Sequence, residues 1–369
     1  MKYLFVLGRN VELSVAEIKS FFERDRINFK IISRVDNGLL VETEKPLQKG
    51  IVEKFGGIIS IGEVLASGTF NKISDELDKI NLYLGTENKL NYIVYDFEGK
   101  DFDDILSYLK YRFKDERLKA THKKLTGNIK LQSGGFVPKV SSNLIDEQYF
   151  VFGNNFGKII EKYNYDAVEK RDMQKPVRRN ELSISPRLAK ILINLSQVKE
   201  GETLLDPFCG IGVVLQEALL QKIKVIGIDK DETAVKDAGV NLRWFNFSQE
   251  DYKLISEDSS NARIPKVRGI ATEPDLGKLQ KRIPSSDEAK SIITGFEKLM
   301  INVLRNLSRN VDGRIVFTAP LINVGKERIS CNFDKIRLSA GLNIAKGFPI
   351  NEFREDSIVG RTIIVMEKA

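Results

Sequence analysis

Four acidic residues, Asp206, Asp229, Asp258 and Glu273, each follow a short apolar run in the second half of the 369-residue chain. Asp206 opens the stretch Asp-Pro-Phe-Cys-Gly-Ile-Gly over 206–212, preceded by Thr203-Leu204-Leu205 and followed by a helical run over 213–221. A buried strand, an abrupt turn carrying two glycines and then a helix bring backbone close to a bound ligand. Gly210 and Gly212 leave the room, and Leu215, Ala218 and Leu219 give the helix a sheet-facing stripe. A second strand over 224–228 ends in Asp229, about twenty residues past the turn, where doubly wound folds place the carboxylate that takes ribose hydroxyls. The two halves predict a nucleoside-containing cofactor. A dinucleotide fits poorly, because Leu215 stands where a third glycine would be and nothing supplies a pyrophosphate cradle.

The elements after Asp229 place the other two acids. A helix is expected over 232–245 and a third strand over 252–255, with Glu257 and Asp258 in the turn behind it. Asp258 is the candidate partner of an adenine amino group, the plainer alternative being a turn residue. A fourth strand over 269–272 runs into Glu273-Pro274-Asp275-Leu276-Gly277, followed by a helix over 292–307, a fifth strand over 314–318 and a last strand over 361–366. Ligands of open α/β sheets bind outside the carboxyl ends of the strands, so all four acids are expected to converge on one cleft.

Composition narrows the chemistry. With 42% hydrophobic and 30% charged residues the chain reads as soluble and globular, long enough for two or three domains. No stretch approaches twenty apolar residues and residues 1–10 lack a signal-peptide layout, so no membrane partner and a cytoplasmic address are expected. The formal net charge of +7 favours a polyanionic partner, nucleic acid first. Two cysteines, Cys209 and Cys331, and one histidine, His122, are too few for a disulfide framework, a zinc site or a histidine triad. Chemistry without a metal is expected, run on carboxylates, backbone and cofactor.

The first half reads as α+β. A strand over 3–7, a helix over 15–22 behind a capping box of Ser14 and Glu17, and a hairpin of 29–35 with 39–44 around Asp36-Asn37-Gly38 come in order. Pro46 opens a helix closed by Gly56-Gly57, and a strand over 58–65 completes βαββαβ, a ferredoxin-like unit assigned to 1–68. A second unit, 69–165, carries helices over 74–84 and 102–118, a strand over 92–97, and paired strands over 149–152 and 158–163 around Gly153-Asn154-Asn155. Arg112, Lys114, Arg117, Lys119, Lys123, Lys124 and Lys130 make either a solvated face or a phosphate-tracking surface for RNA. The basic, proline-containing stretch 171–179 lies in a linker set at 166–184, after which Ser185 and Pro186 start a helix as N-cap and N1 and open the third domain, 185–369.

The loop Asp206-Pro207-Phe208-Cys209-Gly210-Ile211-Gly212 resembles the S-adenosylmethionine loop of methyltransferases that modify exocyclic amino groups. Arg171-Asp172-Met173-Gln174-Lys175-Pro176-Val177-Arg178-Arg179, then Ser185-Pro186-Arg187-Leu188-Ala189 and Asn194-Leu195-Ser196, precede it in the order found in THUMP-domain tRNA guanine-N2 methyltransferases. Leu7-Gly8-Arg9-Asn10 with Leu13-Ser14 and Glu17 also resembles their N-terminal unit, so the similarity covers most of the chain. It implies ferredoxin-like and THUMP-like units that grip tRNA, and a Rossmann-like domain that transfers a methyl group from S-adenosylmethionine to the N2 amine of guanosine 10. Asp206, Phe208, Gly210, Gly212, Asp229 and Asp258 would hold the cofactor.

The chain departs from the family at the catalytic turn. Where an Asp-Pro-Pro-Tyr turn is usual, this chain has Glu273-Pro274-Asp275-Leu276. The usual acid and proline carbonyl hold the amine while the ring stacks on a flipped-out base. Glu273 and Pro274 keep the first role, and Asp275 is the candidate for the released proton. Leu276 loses the ring, and aromatic stacking contributes roughly 1–3 kcal/mol per base. The leading expectation is a tRNA guanine-N2 methyltransferase. The alternatives are an RNA-binding protein that kept the fold and lost turnover, or a methyltransferase for an amine of another nucleic acid.

Overall fold

The structure is a computed structural model that describes residues 1–123, 128–130, 136–138, 145–179, 184–277 and 282–368. They divide into two compact units, one built from Met1–Val11, Ile27–Glu53 and Ile58–Tyr163, the other from Glu12–Arg26, Lys54–Gly57 and the chain from Asn164 onward. Among the described residues no helix is long and apolar enough to cross a membrane.

The first unit is built on a sheet whose eight described strands run in the order Phe29–Val35, Gly38–Thr43, Lys2–Leu7, Ile58–Ser67, Asn155–Lys162, Glu147–Phe152, Lys89–Phe97, Lys119–His122. Strands from both halves of this region therefore share one sheet, joined where Ile58–Ser67 pairs antiparallel with Asn155–Lys162. Ile73 and Leu77 of the helix Phe70–Leu77 and Ile105, Leu109 and Phe113 of the helix Phe102–Asp115 are buried against Tyr92, Tyr149 and Phe156. The period of apolar residues that suggests the second helix is thus the face it buries.

Several expectations change here for local reasons. Only a short 3-10 turn, Ile51–Lys54, forms where a helix is expected after Pro46. In the first hairpin Val35 pairs with Gly38, and the positive φ falls on Asp36 rather than on the glycine. Gly38 is needed for space instead, since a Cβ there would lie 2.6 Å from the Phe97 ring. Arg112 leaves the expected phosphate-tracking set, because its guanidinium is spent on Asp78, Glu116, the Tyr108 hydroxyl and the carbonyls of Leu77 and Ile80. Lys124 lies outside the described residues.

The second unit carries a sheet in which the parallel strands Tyr252–Ser256, Lys224–Asp229, Thr203–Asp206, Gly269–Thr272 and Ile315–Asn323 are followed by antiparallel Val359–Lys368 and Leu342–Ile344. The helices Pro186–Ser196 and Val213–Leu219 cover one face, with Leu188, Leu192 and Leu215 in that core. Ser286–Leu307 and Phe333–Ala340 cover the other through Ile293, Leu304 and Ile336. Ser185 caps its helix as expected, accepting the Leu188 N–H at 3.2 Å. A capping box of Ser285 and Glu288 starts the long helix six residues before the position that its apolar spacing suggests. The expected linker is partly helical: Tyr165–Gln174 is a helix, its N-terminus held by the Asn164 side chain.

The capping box expected of Ser14 and Glu17 does not form, because the helix Val11–Arg24 begins upstream and both residues lie inside it. They grip a turn instead. The buried Glu17 carboxylate accepts the N–H groups of Gly56 and Gly57 at 2.7 and 2.8 Å and the Asn194 amide at 2.8 Å, while the Ser14 hydroxyl donates to the Gly57 carbonyl. Arg187 donates to the Gly56 carbonyl and Arg24 to the Asn194 oxygen, so three distant segments of this unit share one polar knot. Burial pushes the Glu17 carboxyl up against the pull of these donors. Each buried donor left unmatched costs about 1–3 kcal/mol, so Glu17→Ala should lose roughly 3–5 kcal/mol in urea denaturation. Glu17→Gln, which still accepts, should lose less; equal losses would contradict the role of the knot.

Candidate active site

The parallel strands reverse their order between Thr203–Asp206 and Gly269–Thr272, the place where open α/β sheets leave a crevice at their carboxyl ends. Asp206 ends the first of these strands and Glu273 follows the second, so one backbone pairing brings together two acids 67 positions apart in number. Among the described residues the cavity at this point is lined by Ile184, Asp206, Phe208, Cys209, Gly210, Ile211, Val213, Val214 and Glu273. Its walls are apolar, apart from two carboxylates and the glycine backbone.

The turn over 206–212 is shaped by two glycines in the left-handed region, Gly210 at φ 49° and Gly212 at φ 86°. A Cβ at Gly210 would meet nothing within 4 Å, so there the glycine serves the backbone conformation rather than packing. Asp229 supports the same turn from the neighbouring strand: its Oδ2 accepts the Gly210 N–H at 2.9 Å and its Oδ1 accepts the Asp231 N–H at 2.9 Å. Ser259 ties in the loop after the third strand, donating to the Pro207 carbonyl at 2.6 Å. Asp258 itself is exposed and accepts the Ser260 N–H at 2.8 Å. Asp206 and Glu273 thus line one cavity, Asp229 stands behind Gly210, and Asp258 is outside the described lining.

Asp206 is 1% exposed, and among the described residues no Lys or Arg forms an ion pair with it. The Thr272 hydroxyl donates to its Oδ1 at 2.5 Å and the Phe208 N–H to the same oxygen at 3.2 Å. Burial dominates these donors and pushes its carboxyl up to about 7, with the charges of Asp229 and Glu273 adding to the rise. A buried carboxylate with no cationic partner among the described residues can accept a ligand's positive charge. Burial likewise pushes the Cys209 thiol well up, which leaves it a packing group rather than a nucleophile.

Glu273 has a cationic partner. Arg361 Nε donates to its Oε1 and Nη2 reaches Oε2 at 3.4 Å, while the Thr318 hydroxyl reaches Oε1 at 3.4 Å. Pro274 is buried, and the exposed Asp275 closes the turn by accepting the Gly277 N–H at 2.9 Å. Leu276 packs against the apolar core of Phe317 and its neighbours, where it serves the fold. Thr272, Ser259 and Arg361 escape a reading of the sequence alone. Thr272 carries a usable signal, a hydroxyl at the strand end next to Glu273; Arg361, 88 residues away, carries none.

Residues 175–316 match the family described as RMKL-like, methyltransferase domain, and residues 67–239 match the one described as DNA methylase. The chain is 26% identical over 267 residues to a tRNA (guanine(10)-N2)-dimethyltransferase of Methanothermobacter thermautotrophicus, covering 72% of this chain and 75% of that one. It is 34% identical over 140 residues to a protein of Methanothermococcus thermolithotrophicus named "Probable tRNA (guanine(10)-N2)-dimethyltransferase", covering 36% of this chain and 79% of that one. The crystal structure of TrmN from Thermus thermophilus superposes at a TM-score of 0.52 with 13% identity over the whole of both chains, a likeness of fold.

The buried acid makes stability depend on pH. Folded Asp206 keeps a proton up to about pH 7 that the unfolded chain releases near 3.8, so the folded state binds more protons in between and its contribution falls as pH rises. Relative to Asp206→Asn, the ligand-free protein should lose on the order of 4 kcal/mol between pH 4 and 7 and then level off. Parallel pH profiles in urea denaturation would show that Asp206 is not held as described.

Proposed function

We propose the reaction from the family first, since the chain belongs to the tRNA (guanine(10)-N2)-dimethyltransferase family. It is a methyltransferase that uses S-adenosylmethionine and methylates the N2 amine of a guanine in tRNA, at position 10. The observation that carries the reading is the buried Asp206 carboxylate, which has no cationic partner among the described residues and faces the same cavity as Glu273. A sulfonium cofactor suits that cavity, because apolar side chains beside the Asp206 carboxylate accept a cation with an apolar body.

Asp206, Phe208, Gly210, Gly212, Asp229 and Asp258 would hold the cofactor, whose sulfonium supplies an activated methyl group and needs no metal to make it leave. Gly210 and Gly212 keep the approach to the turn open, and Asp229 fixes that turn through the Gly210 N–H. Glu273 and the Pro274 carbonyl accept the amine hydrogens and aim its lone pair, which supplies orientation rather than bond-making. Asp275, exposed in the turn after Glu273, takes the proton released once the nitrogen has four substituents. Pro274 is buried beside Glu273, so the acceptor pair has little freedom to drift.

The earlier part of the chain is read as tRNA-gripping, with 1–68 ferredoxin-like, 69–165 THUMP-like, 166–184 a connector and 185–369 the Rossmann-like catalytic domain. The strand–helix–strand–strand order of Lys2–Leu7, Val11–Arg24, Phe29–Val35 and Gly38–Thr43 supports the first assignment. The exposed Lys110, Lys114, Lys119 and Lys123 support a phosphate-facing surface in the second. A cytoplasmic address goes with this substrate. The competing reading, a tRNA-binding protein without turnover, draws on Leu276 being committed to the core where the family has a ring.

Incubation of the chain with mixed tRNA and methyl-labelled S-adenosylmethionine, followed by nucleoside mass analysis, should give N2-methylated guanosine. Tight tRNA binding with no label transferred would favour the competing reading. Asp229→Ala should weaken cofactor binding at least tenfold in calorimetry, because the Gly210 turn loses its support; unchanged affinity would remove Asp229 from the site.

A further inference from the structure

We propose that Arg361 is a positioning residue that fixes the Glu273 carboxylate toward the substrate amine, an inference that rests on the methyl-transfer reading of the site. Arg361 lies on the strand Val359–Lys368, opposite Pro320 on one side and Glu352 on the other. Its Nε donates to Glu273 Oε1 and its Nη2 reaches Oε2, so both oxygens are held by one planar fork. The side chain of Glu273 is 10% exposed and that of Arg361 33%, and of the two only Glu273 is among the described residues that line the cavity.

This pair answers the departure at residue 273. A glutamate has one more torsion than the aspartate usual at this turn, and a free carboxylate on a longer stem scatters the acceptor the amine needs. Two contacts to a rigid fork remove that freedom, and the Thr318 hydroxyl adds a third contact to Oε1. An ionised carboxylate offers about four lone-pair sites, so the grip still leaves acceptor capacity toward the cavity. Charge points the same way. Asp206 and Glu273 line one cavity, and among the described residues Arg361 is the cation paired with either of them. Glu352, paired with Arg361 across the strands, adds a second negative charge that keeps the guanidinium in place.

The test compares label transfer to tRNA by the unaltered chain, Arg361→Met, Arg361→Lys, Glu273→Gln and the double variant Glu273→Gln/Arg361→Met. Arg361→Met should lower kcat about a hundredfold, as a displacement near 1 Å at the acceptor does, while KM for tRNA and the calorimetric Kd for S-adenosylmethionine stay within about twofold. Arg361→Lys, a point charge without the fork, should recover part of that loss. The double variant should be no slower than Glu273→Gln alone, because Arg361 acts through Glu273. Additive losses, a wild-type kcat in Arg361→Met, or a loss confined to cofactor affinity would each overturn the proposal. If Arg361→Met does not fold by urea denaturation, Arg361→Gln gives the same comparison. No transfer by the unaltered chain would sink the methyl-transfer reading and this inference with it, whereas transfer indifferent to Arg361 would sink this inference alone.

Discussion

A carboxylate taken out of water, with no cation beside it among the described residues, is the constraint on which the catalytic unit depends. Asp206 stands at the end of a central strand, walled by apolar side chains, with a hydroxyl and one backbone N–H as its only described donors. Such a group costs the ligand-free fold stability and returns it when a positive charge is bound, which is how a binding site differs from a core. The surrounding architecture keeps the arrangement from relaxing. Parallel pairing fixes the height of Asp206 against the Thr272–Glu273 end, two helical layers close both faces, and Asp229 immobilises the turn that would otherwise fold over the acid.

The two acids at the cavity differ in what stands beside them. Asp206 is left to find its cation in a ligand, whereas Glu273 has Arg361. This asymmetry is the basis on which one carboxylate is proposed to bind and the other to orient, although both line the same space. The Glu273 carboxylate is held by an arginine from a distant strand, while the partly buried Leu276 packs against the core.

Much of this was legible in the residue pattern because the relevant signals are local. The run from Thr203 to Gly212 shows strand, turn and helix in order, and the strands around Asp229 and Glu273 follow from short apolar runs closed by an acid. What could not be read is contact between distant segments. Ser14 and Glu17 have the spacing of a capping box, yet tertiary contacts with Gly56, Gly57 and Asn194 outcompete it. The helix Tyr165–Gln174 is hidden by a polar composition of mixed charge that gives no amphipathic stripe, since only Val168 is buried. Arg361 lies 88 residues from its partner, and no local propensity reports such a pair.

The proposed site holds a sulfonium cofactor against the glycine turn, between Asp206 and Glu273. A crystal structure of the chain soaked with S-adenosylhomocysteine tests it most directly. The expected result places the sulfur of that molecule in the cavity lined by Asp206, Phe208, Gly210 and Glu273. Density for it anywhere else on the chain, with that cavity closed by protein atoms, would contradict the claim.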